Sequence, residues 1–464
     1  MAALLDLSAV AQATLLRRRE LSSEELVRLY LDRIQRLNPV LHSFVEIFAD
    51  EALKEARTKD AELGKKRADL PPFFGVPSAI KDMNLVRRHR TRFGSRAGKL
   101  GWSPVDDRTT ARMREAGFVF LGKLGTSEYG AMPITEPDIH PPCANPWALT
   151  RTPGGSSGGS GAAVAAGLVP IAQGSDGAGS IRIPAAFCHL YGLKPARGRL
   201  RNAFMLPDEH VLYTDGPLAR TVDDAAAMLD AMAGITVGKP HWAPPPPRPF
   251  GELAREAPSR LTIRFATRVH LADTHPAARD LVLSTARCLE GLGHHVEEAP
   301  LTDIALETFL PLWQKLIADM PLVRWDDTQP VTRWLALAGK QISRARVEEL
   351  GARLESELLS WFGDADLWLT PTVPELPPLL GLARIPESPE SIFARAAQLG
   401  AYTATFNITG QPAASLPLGL TEDGLPLGVQ IAGRRFDEAT VLAISRVLES
   451  EMPWKGRTAP LYRA

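Results

Sequence analysis

Two glycine- and serine-rich stretches, each set between apolar segments, constrain this chain more than any other feature. They read PGGSSGGSG over 153–161 and GSDGAGS over 174–180. A flexible linker has a similar composition, but the first stretch runs directly into the apolar segment 162–166. Glycine permits unusual dihedrals and leaves backbone N–H groups unobstructed, and such groups form anion or oxyanion sites. The two stretches therefore predict a site built from backbone.

Composition excludes several classes of protein. The 464 residues carry 53 Lys+Arg and 53 Asp+Glu, and 45% of them are hydrophobic. These are ordinary globular values, not those of a disordered, collagen-like or coiled-coil chain. The zero net charge gives no long-range attraction to nucleic acid or an anionic membrane, so neither is an expected partner. A homodimer is compatible with this composition.

The cysteines give no sign of a disulfide framework or a metal site. Cys143, Cys188 and Cys288 are odd in number and far apart, and none has zinc-ligand spacing. The start of the chain is unlike a secretory signal, because Asp6 interrupts the first apolar stretch and the basic run 17–19 follows it. The small-apolar run 161–172 is too short for a membrane span of about 20 residues. We expect a cytoplasmic protein.

Hydrophobic periodicity indicates an α/β fold. It predicts helices over 22–37, where Ser22 and Glu25 form a capping box before Pro39 ends the pattern, and over 49–63. Short apolar segments separated by Gly and Pro from about 73 to 235 favour an α/β sheet with helices on both faces. The remaining predicted elements are a proline-rich connector (240–250), a strand (261–265), a helix (276–292), a helical region (300–362), a return to strands after 368, and a last helix (437–450).

Two short catalytic motifs are matched or nearly matched by their letters but lack the residues in or around them that each motif requires. Residues 155–159 fit the G-x-S-x-G nucleophile elbow, but 148–153 is a poor strand to precede it. A phosphate loop is nearly matched by 117–124, yet Leu124 stands where Ser or Thr would hold magnesium. If a serine is the nucleophile, it needs a base. The nearest histidine, His189, has the apolar setting of a core residue.

Lys81 is a better candidate base. It follows two apolar residues and precedes Asp82, as at the end of a buried strand. Burial lowers the pKa of a lysine, so that it can act as a neutral base. A simple surface pair between Lys81 and Asp82 explains the same residues equally well.

Eight segments together form a recognisable pattern: 76–82, 145–147, 153–161, 174–187, 192–195, 215–221, 406–412 and 423–431. In these segments the chain resembles the amidase signature family of serine hydrolases, which use a Ser–Ser–Lys triad. The likeness covers nearly the whole chain except about 240–365. The resemblance implies one α/β/α domain over 1–464, with a large mixed β-sheet covered by helices on both faces. Its parts would be N-terminal helices (1–65), a catalytic core (66–240), a variable helical pocket region (240–365) and core completion (366–464).

The resemblance also implies roles for individual residues. Lys81 matches the base, Ser156 the bridging serine whose peptide bond is cis, and Ser180 the acyl-forming nucleophile. Four backbone N–H groups match the oxyanion hole: those of Gly177, Ala178, Gly179 and Ser180. No metal or organic cofactor is implied.

The neighbours of these residues include supports and departures. Asp176 and Arg182 are expected to brace the loop, and Ser157 to be structural. Ser175 replaces the usual threonine, His189 a usual small residue, and Ala178 a common glycine. Alanine disfavours positive φ, so the loop works only if Ala178 has an ordinary conformation.

Substrate choice rests on the variable region and on the loop 125–132. Ala131 and Met132 are candidate pocket residues, and an apolar pocket favours hydrophobic or aryl amides. For the tryptophans of 300–362, which are Trp313, Trp325, Trp334 and Trp361, ordinary helix packing is the favoured interpretation.

Four functions are compatible with the resemblance. The first is a free-standing amidase for small-molecule amides, extending to esters or carbamates as in relatives that cleave nylon oligomers or urethanes. The alternative is the glutaminase subunit of a tRNA-dependent amidotransferase. Those subunits carry an aspartate shortly before 406–407, whereas this chain has Gly400 and no acid between 392 and 407. A membrane-bound fatty-acid amide hydrolase and a catalytically dead binding module are disfavoured, by the lack of an amino-terminal membrane segment and by the intact Lys81, Ser156 and Ser180.

Overall fold

The computed structural model of the chain describes residues 2–65, 70–98, 101–200, 212–234, 243–302, 304–320 and 324–463. Its α-helices are α1 (Ala2–Asp6), α2 (Ala9–Arg17), α3 (Ser23–Leu41), α4 (Ala49–Gly64), α5 (Arg108–Glu115), α6 (Gly158–Ala165), α7 (Arg182–Cys188), α8 (Val222–Met232), α9 (Phe250–Leu253), α10 (Pro276–Gly291), α11 (Leu306–Ala318), α12 (Pro330–Gly339), α13 (Arg344–Phe362), α14 (Pro389–Ala397), α15 (Thr405–Ile408) and α16 (Glu438–Glu451).

The strands form two separate sheets. They are β1 (Phe44–Ile47), β2 (Pro77–Lys81), β3 (Val119–Leu124), β4 (Ile171–Asp176), β5 (Tyr191–Lys194), β6 (Thr214–Ala219), β7 (Thr262–Phe265), β8 (His295–Glu298), β9 (Leu367–Pro371), β10 (Ala413–Leu420) and β11 (Pro426–Gly433). The large sheet has the order β4-β6-β5-β10-β11-β9-β7-β8. It is antiparallel from β4 to β9 and parallel from β9 to β8. The predicted α/β/α architecture around a large mixed sheet is confirmed.

A small three-stranded sheet, β1-β3-β2, carries the segments around 78–82 and 119–124. The alternation of short apolar segments from about 73 to 235 predicts one sheet, whereas the structure places these two segments in a sheet of their own. The two sheets meet through polar contacts of β2 with β4: Ser78 Oγ donates to the carbonyl of Ile171 at 2.9 Å, and Lys81 N–H donates to Gln173 Oε1 at 3.0 Å. This junction brings the end of β2 against the second glycine-rich stretch.

Local signals explain the first long helix. Ser22 caps α3, and the reciprocal hydrogen bonds of a capping box with Glu25 are both present. The helix does not stop at Pro39 as predicted but continues to Leu41, after which His42 adopts a left-handed conformation with φ 52°. Pro39 lies only two residues before the end of the helix, so it removes a single backbone hydrogen bond of the last turn and interrupts no later turn.

Helices pack on the large sheet in two groups that enclose the core. α6 and α7 contact each other and the strands that follow the glycine-rich stretches, while α8, α9 and α16 contact one another and β10, β11 and β6. A second apolar cluster lies beyond α7 and is built largely from α11, α12, α13 and α14. The variable helical region therefore forms its own layer next to the residues after β4.

Most predicted element positions agree with the structure. The helices predicted over 49–63, 276–292 and 437–450 are present as α4, α10 and α16. The helical region 300–362 is divided into α11, α12 and α13, with residues 303 and 321–323 outside the described part. Within the proline-rich connector (240–250), residues 243–249 are neither helix nor strand, as predicted, but Phe250 begins α9; residues 240–242 lie outside the described part. In the described ranges, no helix has both the length and the apolar character that a membrane crossing requires.

Candidate active site

Lys81 ends β2 and is completely buried. Its Nζ atom lies within hydrogen-bond distance of three hydroxyl oxygens: Ser156 Oγ at 2.6 Å, Ser175 Oγ at 2.8 Å and Ser157 Oγ at 2.9 Å. The alternative surface pair with Asp82 is wrong, because Asp82 is buried and its carboxylate lies 3.3 Å from the ammonium of Lys123.

Burial decides the protonation of Lys81. Loss of solvation lowers the pKa of Lys81 from its ordinary value to about 7, against the opposing charges of Asp215 and Asp176. A neutral amine is therefore well populated near neutral pH, and the lysine can accept a proton there.

The first glycine-rich stretch positions Ser156 and Ser157. The peptide bond between Gly155 and Ser156 is cis, in agreement with the resemblance, and α6 begins two residues after Ser156. Ser157 Oγ donates to the carbonyl of Ser175 at 3.1 Å and accepts from the N–H of the same residue at 3.1 Å. Ser157 thus ties the two glycine-rich stretches together beside Lys81.

The second glycine-rich stretch is held by a buried carboxylate. Asp176 accepts hydrogen bonds from the N–H groups of Gly179 (2.7 Å) and Ile181 (3.1 Å), and its Oδ1 lies 2.9 Å from Arg182 Nη2. Burial by itself would raise the pKa of Asp176, but the Arg182 guanidinium holds it well below its ordinary value. The expected bracing role of this pair agrees with these contacts.

The loop that this pair holds presents N–H groups next to Ser180. The N–H of Gly179 is engaged by Asp176, whereas within the described part of the chain those of Gly177, Ala178 and Ser180 donate to no other residue. Gly179 has φ 124°, and a Cβ there would lie 2.3 Å from Thr403 Oγ1. Ala178 is not among the non-glycine residues with positive φ, so the condition set for its side chain is met.

A cavity opens in front of Ser180. It contains about 660 Å³ of empty space, part of it open to solvent. The lining residues are almost all apolar and none is charged: Gly130, Ala131, Met132, Pro133, Ala178, Ser180, Ile183, Leu271, Ile304, Leu306, Phe309, Trp313, Phe393, Ala397, Gly400, Ala401, Ala404 and Thr405. Both sequence-predicted pocket residues, Ala131 and Met132, lie in this wall.

Comparisons with known proteins agree on one family. The Amidase family model matches residues 25–323 and 325–442. A "Putative amidase" of Synechocystis sp. (strain ATCC 27184 / PCC 6803 / Kazusa) is 37% identical over 458 residues, which cover 96% of this chain and 88% of the relative.

The chain belongs to the amidase signature family.

Two solved structures show the same architecture. A 6-aminohexanoate cyclic dimer hydrolase complexed with substrate matches this amidase with a TM-score of 0.88 and 31% identity, covering 99% of both chains. A bacterial aryl acylamidase of the amidase signature family matches with a TM-score of 0.88 and 26% identity, covering 98% of both chains. The protein is accordingly a hydrolase of amide C–N bonds.

The sequence missed part of the amidase site. The sequence marks Ser175 only as a replacement for the family's usual threonine. Its hydroxyl is nevertheless one of the three that lie within hydrogen-bond distance of Lys81 Nζ. The cavity wall from α14 to α15, including Phe393 and Ala401, carried no signal, because its inward apolar side chains look like ordinary core residues. Of the four tryptophans, Trp313 lines the cavity, whereas Trp334 packs on Phe393 at 5.8 Å between ring centroids.

Other candidates lie away from this site. His189 is a buried residue at the end of α7 with its ring 5.2 Å from that of Trp147, and burial lowers the pKa of His189 to about 3. It lines neither cavity beside Ser180. Among the described residues, no group of three or more His, Cys, Asp or Glu side chains is placed to hold a metal ion.

Proposed function

We propose that this amidase hydrolyses neutral amides of hydrophobic or aryl character through an acyl-enzyme on Ser180. The observation that carries the proposal is the position of Ser180. It borders an uncharged apolar cavity on one side and, on the other, a smaller cavity that Ser156 also lines, next to buried Lys81.

The first step forms the acyl-enzyme. Neutral Lys81 takes the hydroxyl proton of Ser156, which takes the proton of Ser180 as the Ser180 oxygen attacks the amide carbonyl carbon. A C–O bond forms and the carbonyl oxygen becomes an oxyanion. Lys81 then carries the positive charge, which the carboxylates of Asp215 and Asp176 favour.

The oxyanion is stabilised by backbone. The N–H groups of Gly177, Ala178 and Ser180 are the donors, since the N–H of Gly179 is already bonded to Asp176. Each such donor is worth about 3 kcal/mol in an acyl-transfer transition state. Asp176 and Arg182 contribute by holding the loop.

The second step expels the amine. Ser156 gives a proton to the departing nitrogen and regains one from Lys81 as the C–N bond breaks. A water molecule then attacks the ester of Ser180 with the same proton acceptors, which releases the carboxylic acid. No cofactor is needed for these steps.

The cavity supports the choice of substrate class. An uncharged lining offers no partner for the ammonium and carboxylate groups of glutamine, and burying an unpaired charge is costly. Gly400 also lies in that lining. It stands in the segment where glutaminase subunits are expected to carry an aspartate. The names of the two solved relatives describe a cyclic amide and an aryl amide as substrates.

A carbamate is the second candidate substrate. Its carbonyl offers the same attack geometry, and its alkoxy group is as uncharged as the cavity wall. Urethane hydrolysis is therefore proposed as an extension of amide hydrolysis rather than as a separate chemistry.

Three compounds assayed with the wild type and with Ser180→Ala test the proposal. They are a hydrophobic acyl anilide, the aryl carbamate of the same aniline, and L-glutamine. We expect release of the aniline from the anilide by the wild type only. Comparable release from the carbamate adds urethanes to the substrate class. Ammonia release from glutamine alone, or full activity of Ser180→Ala, would overturn the proposal.

A further inference from the structure

Two cavities of unequal size meet at Ser180. The larger is the apolar cavity described above, and the smaller contains about 280 Å³ of empty space. The residues that line only the smaller one are Met83, Tyr129, Ser156, Ser175, Gly177, Tyr213, Leu316, Ile317 and Met320. Three residues line both cavities, namely Gly130, Ser180 and Trp313. The scissile carbonyl must lie at Ser180, so the two groups that flank it extend into different cavities.

The position of Ser156 assigns each half of the substrate to a cavity. In the proposed function, on which this inference rests, Ser156 gives its proton to the departing nitrogen. Ser156 lines only the smaller cavity. A proton donor must reach the nitrogen within hydrogen-bond distance, so the amine half occupies the smaller cavity and the acyl half the larger.

Trp313 stands at the boundary and is fixed from two directions. Its indole N–H donates to the carbonyl of Ala131 at 3.1 Å, on the wall of the acyl cavity. The far edge of the ring lies over Gly177, where an added Cβ would be 3.2 Å from Trp313 Cη2 and Cζ3. The side chain is only 6% exposed.

The rest of α11 completes the boundary of the amine cavity. Phe309 packs on Trp313 with ring centroids 5.8 Å apart and faces the acyl side. Leu316 and Ile317, one turn further along the helix, line the amine side. Because the ring of Trp313 is held by Ala131 and Gly177, a larger amine cannot push it aside without disturbing the loop that precedes Ser180.

We infer that Trp313 is the specificity-determining residue of this amidase, whose indole limits the amine cavity. The preferred substrates then combine a bulky apolar acyl group with a compact amine. Tryptophan is suited to this role because its large ring has few rotatable bonds, so that fixing it costs little conformational entropy, and its N–H can be held by a hydrogen bond.

Two substrate series measured as kcat/KM test the inference. One keeps an octanoyl group and varies the amine through methylamine, benzylamine and 2-naphthylmethylamine, which are primary alkylamines of similar basicity and differ chiefly in size. The other keeps methylamine and varies the acyl group through acetyl, butanoyl and octanoyl. For the wild type we expect kcat/KM to rise with acyl size and to fall with amine size.

Variants of the residues that line the amine cavity then test which side chain limits the size of the amine. We expect Trp313→Ala to reduce the penalty of 2-naphthylmethylamine relative to methylamine at least tenfold, and Trp313→Phe, which keeps a ring at the boundary, to retain most of it. Met320→Ala enlarges only the amine cavity, so it should relax the amine limit and leave the acyl series unchanged. It also keeps the test decisive if Trp313→Ala fails to fold. The control is Trp361→Ala, since Trp361 packs on Trp368 and lines neither cavity.

Failure of this inference is distinct from failure of the proposed function. If the wild type hydrolyses the series through Ser180 but the amine profile is unchanged in both Trp313→Ala and Met320→Ala, the role of Trp313 is wrong. A wild-type preference for a bulky amine on a compact acyl group would overturn the assignment of the cavities. If Ser180→Ala hydrolyses the series as well as the wild type, the proposed function itself falls.

Discussion

The Nζ atom of Lys81 lies 2.6 Å from Oγ of Ser156, and both side chains are almost completely shielded from solvent. Within the described part of the chain, the hydrogen-bond partners of Lys81 Nζ are serine hydroxyls, and no carboxylate is among them. A lysine paired with a carboxylate would stay charged, whereas one among hydroxyls can lose its proton at low cost. The contact therefore defines a base that works near neutral pH.

The activity should follow the neutral fraction of Lys81. Its pKa of about 7 means that the protonated, inactive form dominates at lower pH. We expect kcat/KM for an uncharged amide to fall about tenfold per unit below pH 7 and to be level above about pH 8. A profile that is flat from pH 6 to pH 9 would contradict a lysine base. Asp215→Asn removes a negative charge that favours charged Lys81, so the rising limb should move to lower pH.

Replacing Lys81 should affect amides more than activated esters. Lys81→Met keeps the volume of the side chain but removes the proton acceptor and the source of the proton for the leaving group. A nitrophenolate leaves without a proton, whereas an amine needs one. We expect amide turnover to fall at least about tenfold further than that of the matching p-nitrophenyl ester. Equal losses for the two compounds would show that proton delivery to the amine does not pass through Lys81.

Ser157 should orient the lone pair of Lys81. The single hydrogen of the Ser157 hydroxyl is donated to the carbonyl of Ser175, so toward Lys81 it can only accept. A neutral amine has two N–H groups and one lone pair. If the N–H groups point to Ser157 and Ser175, the lone pair faces Ser156.

The corresponding variant is Ser157→Ala. We expect kcat to fall by about 10- to 100-fold with KM nearly unchanged, as for a misoriented catalytic group. Ser160→Ala is the matched control, because Ser160 lies in α6, which begins directly after Ser157, and its hydroxyl donates to the carbonyl of Gln173 at 2.8 Å without touching Lys81. If both variants lose the same activity, the effect comes from the helix and not from the amine.

Lys81 shows how much of the site could be predicted from the sequence. Two apolar residues before it were enough to predict a buried strand end, but not to exclude a pair with Asp82. What excludes that pair is Lys123, which lies on the neighbouring strand and takes the carboxylate. Strand pairing between distant segments is not encoded in local periodicity, and the same reason hid the division into two sheets.

Only part of the cavity wall could be predicted. Ala131 and Met132 could be named because the resemblance placed a variable loop there. The wall from Phe393 to Ala404 could not, since an apolar face turned toward a cavity has the same pattern as one turned toward a core. Trp313 was likewise indistinguishable from its packing neighbours until the fold set it beside Gly177.

The ion pair of Asp176 and Arg182 should be essential for stability. Both side chains are fully buried, and Arg182 Nη2 also donates to Asn407 Oδ1 at 2.6 Å. Arg182→Met would leave the carboxylate buried without its partner, and we expect it to lower the free energy of unfolding by about 3–5 kcal/mol. Urea denaturation measures this.

Its control is an exposed pair. Arg346 and Glu349 lie 3.1 Å apart on α13 with side chains 58% and 72% exposed. Arg346→Met should change the free energy of unfolding by less than about 1 kcal/mol. A similar small effect for Arg182→Met would mean that the buried pair is not what holds the loop.

Gly177 and Trp313 should be coupled. An alanine Cβ at 177 would lie 3.2 Å from Trp313 Cη2 and Cζ3, and the backbone of Gly177 is outside the left-handed region, so the ring is the obstacle. Gly177→Ala must displace either the indole or the N–H groups before Ser180. We expect kcat/KM to fall by about tenfold or more, because small displacements of catalytic groups are costly.

A double-mutant cycle separates this clash from a general effect of the substitution. Phenylalanine at 313 lacks the distal ring atoms that meet the new Cβ, so Gly177→Ala should cost much less activity in a Trp313→Phe background. The coupling between contacting residues should be about 0.5–3 kcal/mol. Gly291→Ala, with no atom within 4 Å of the added Cβ, should have an effect that simply adds to that of Trp313→Phe. If Gly177→Ala is also additive, the loop is disturbed by something other than the indole, and Trp313 does not press on the residues that precede the nucleophile.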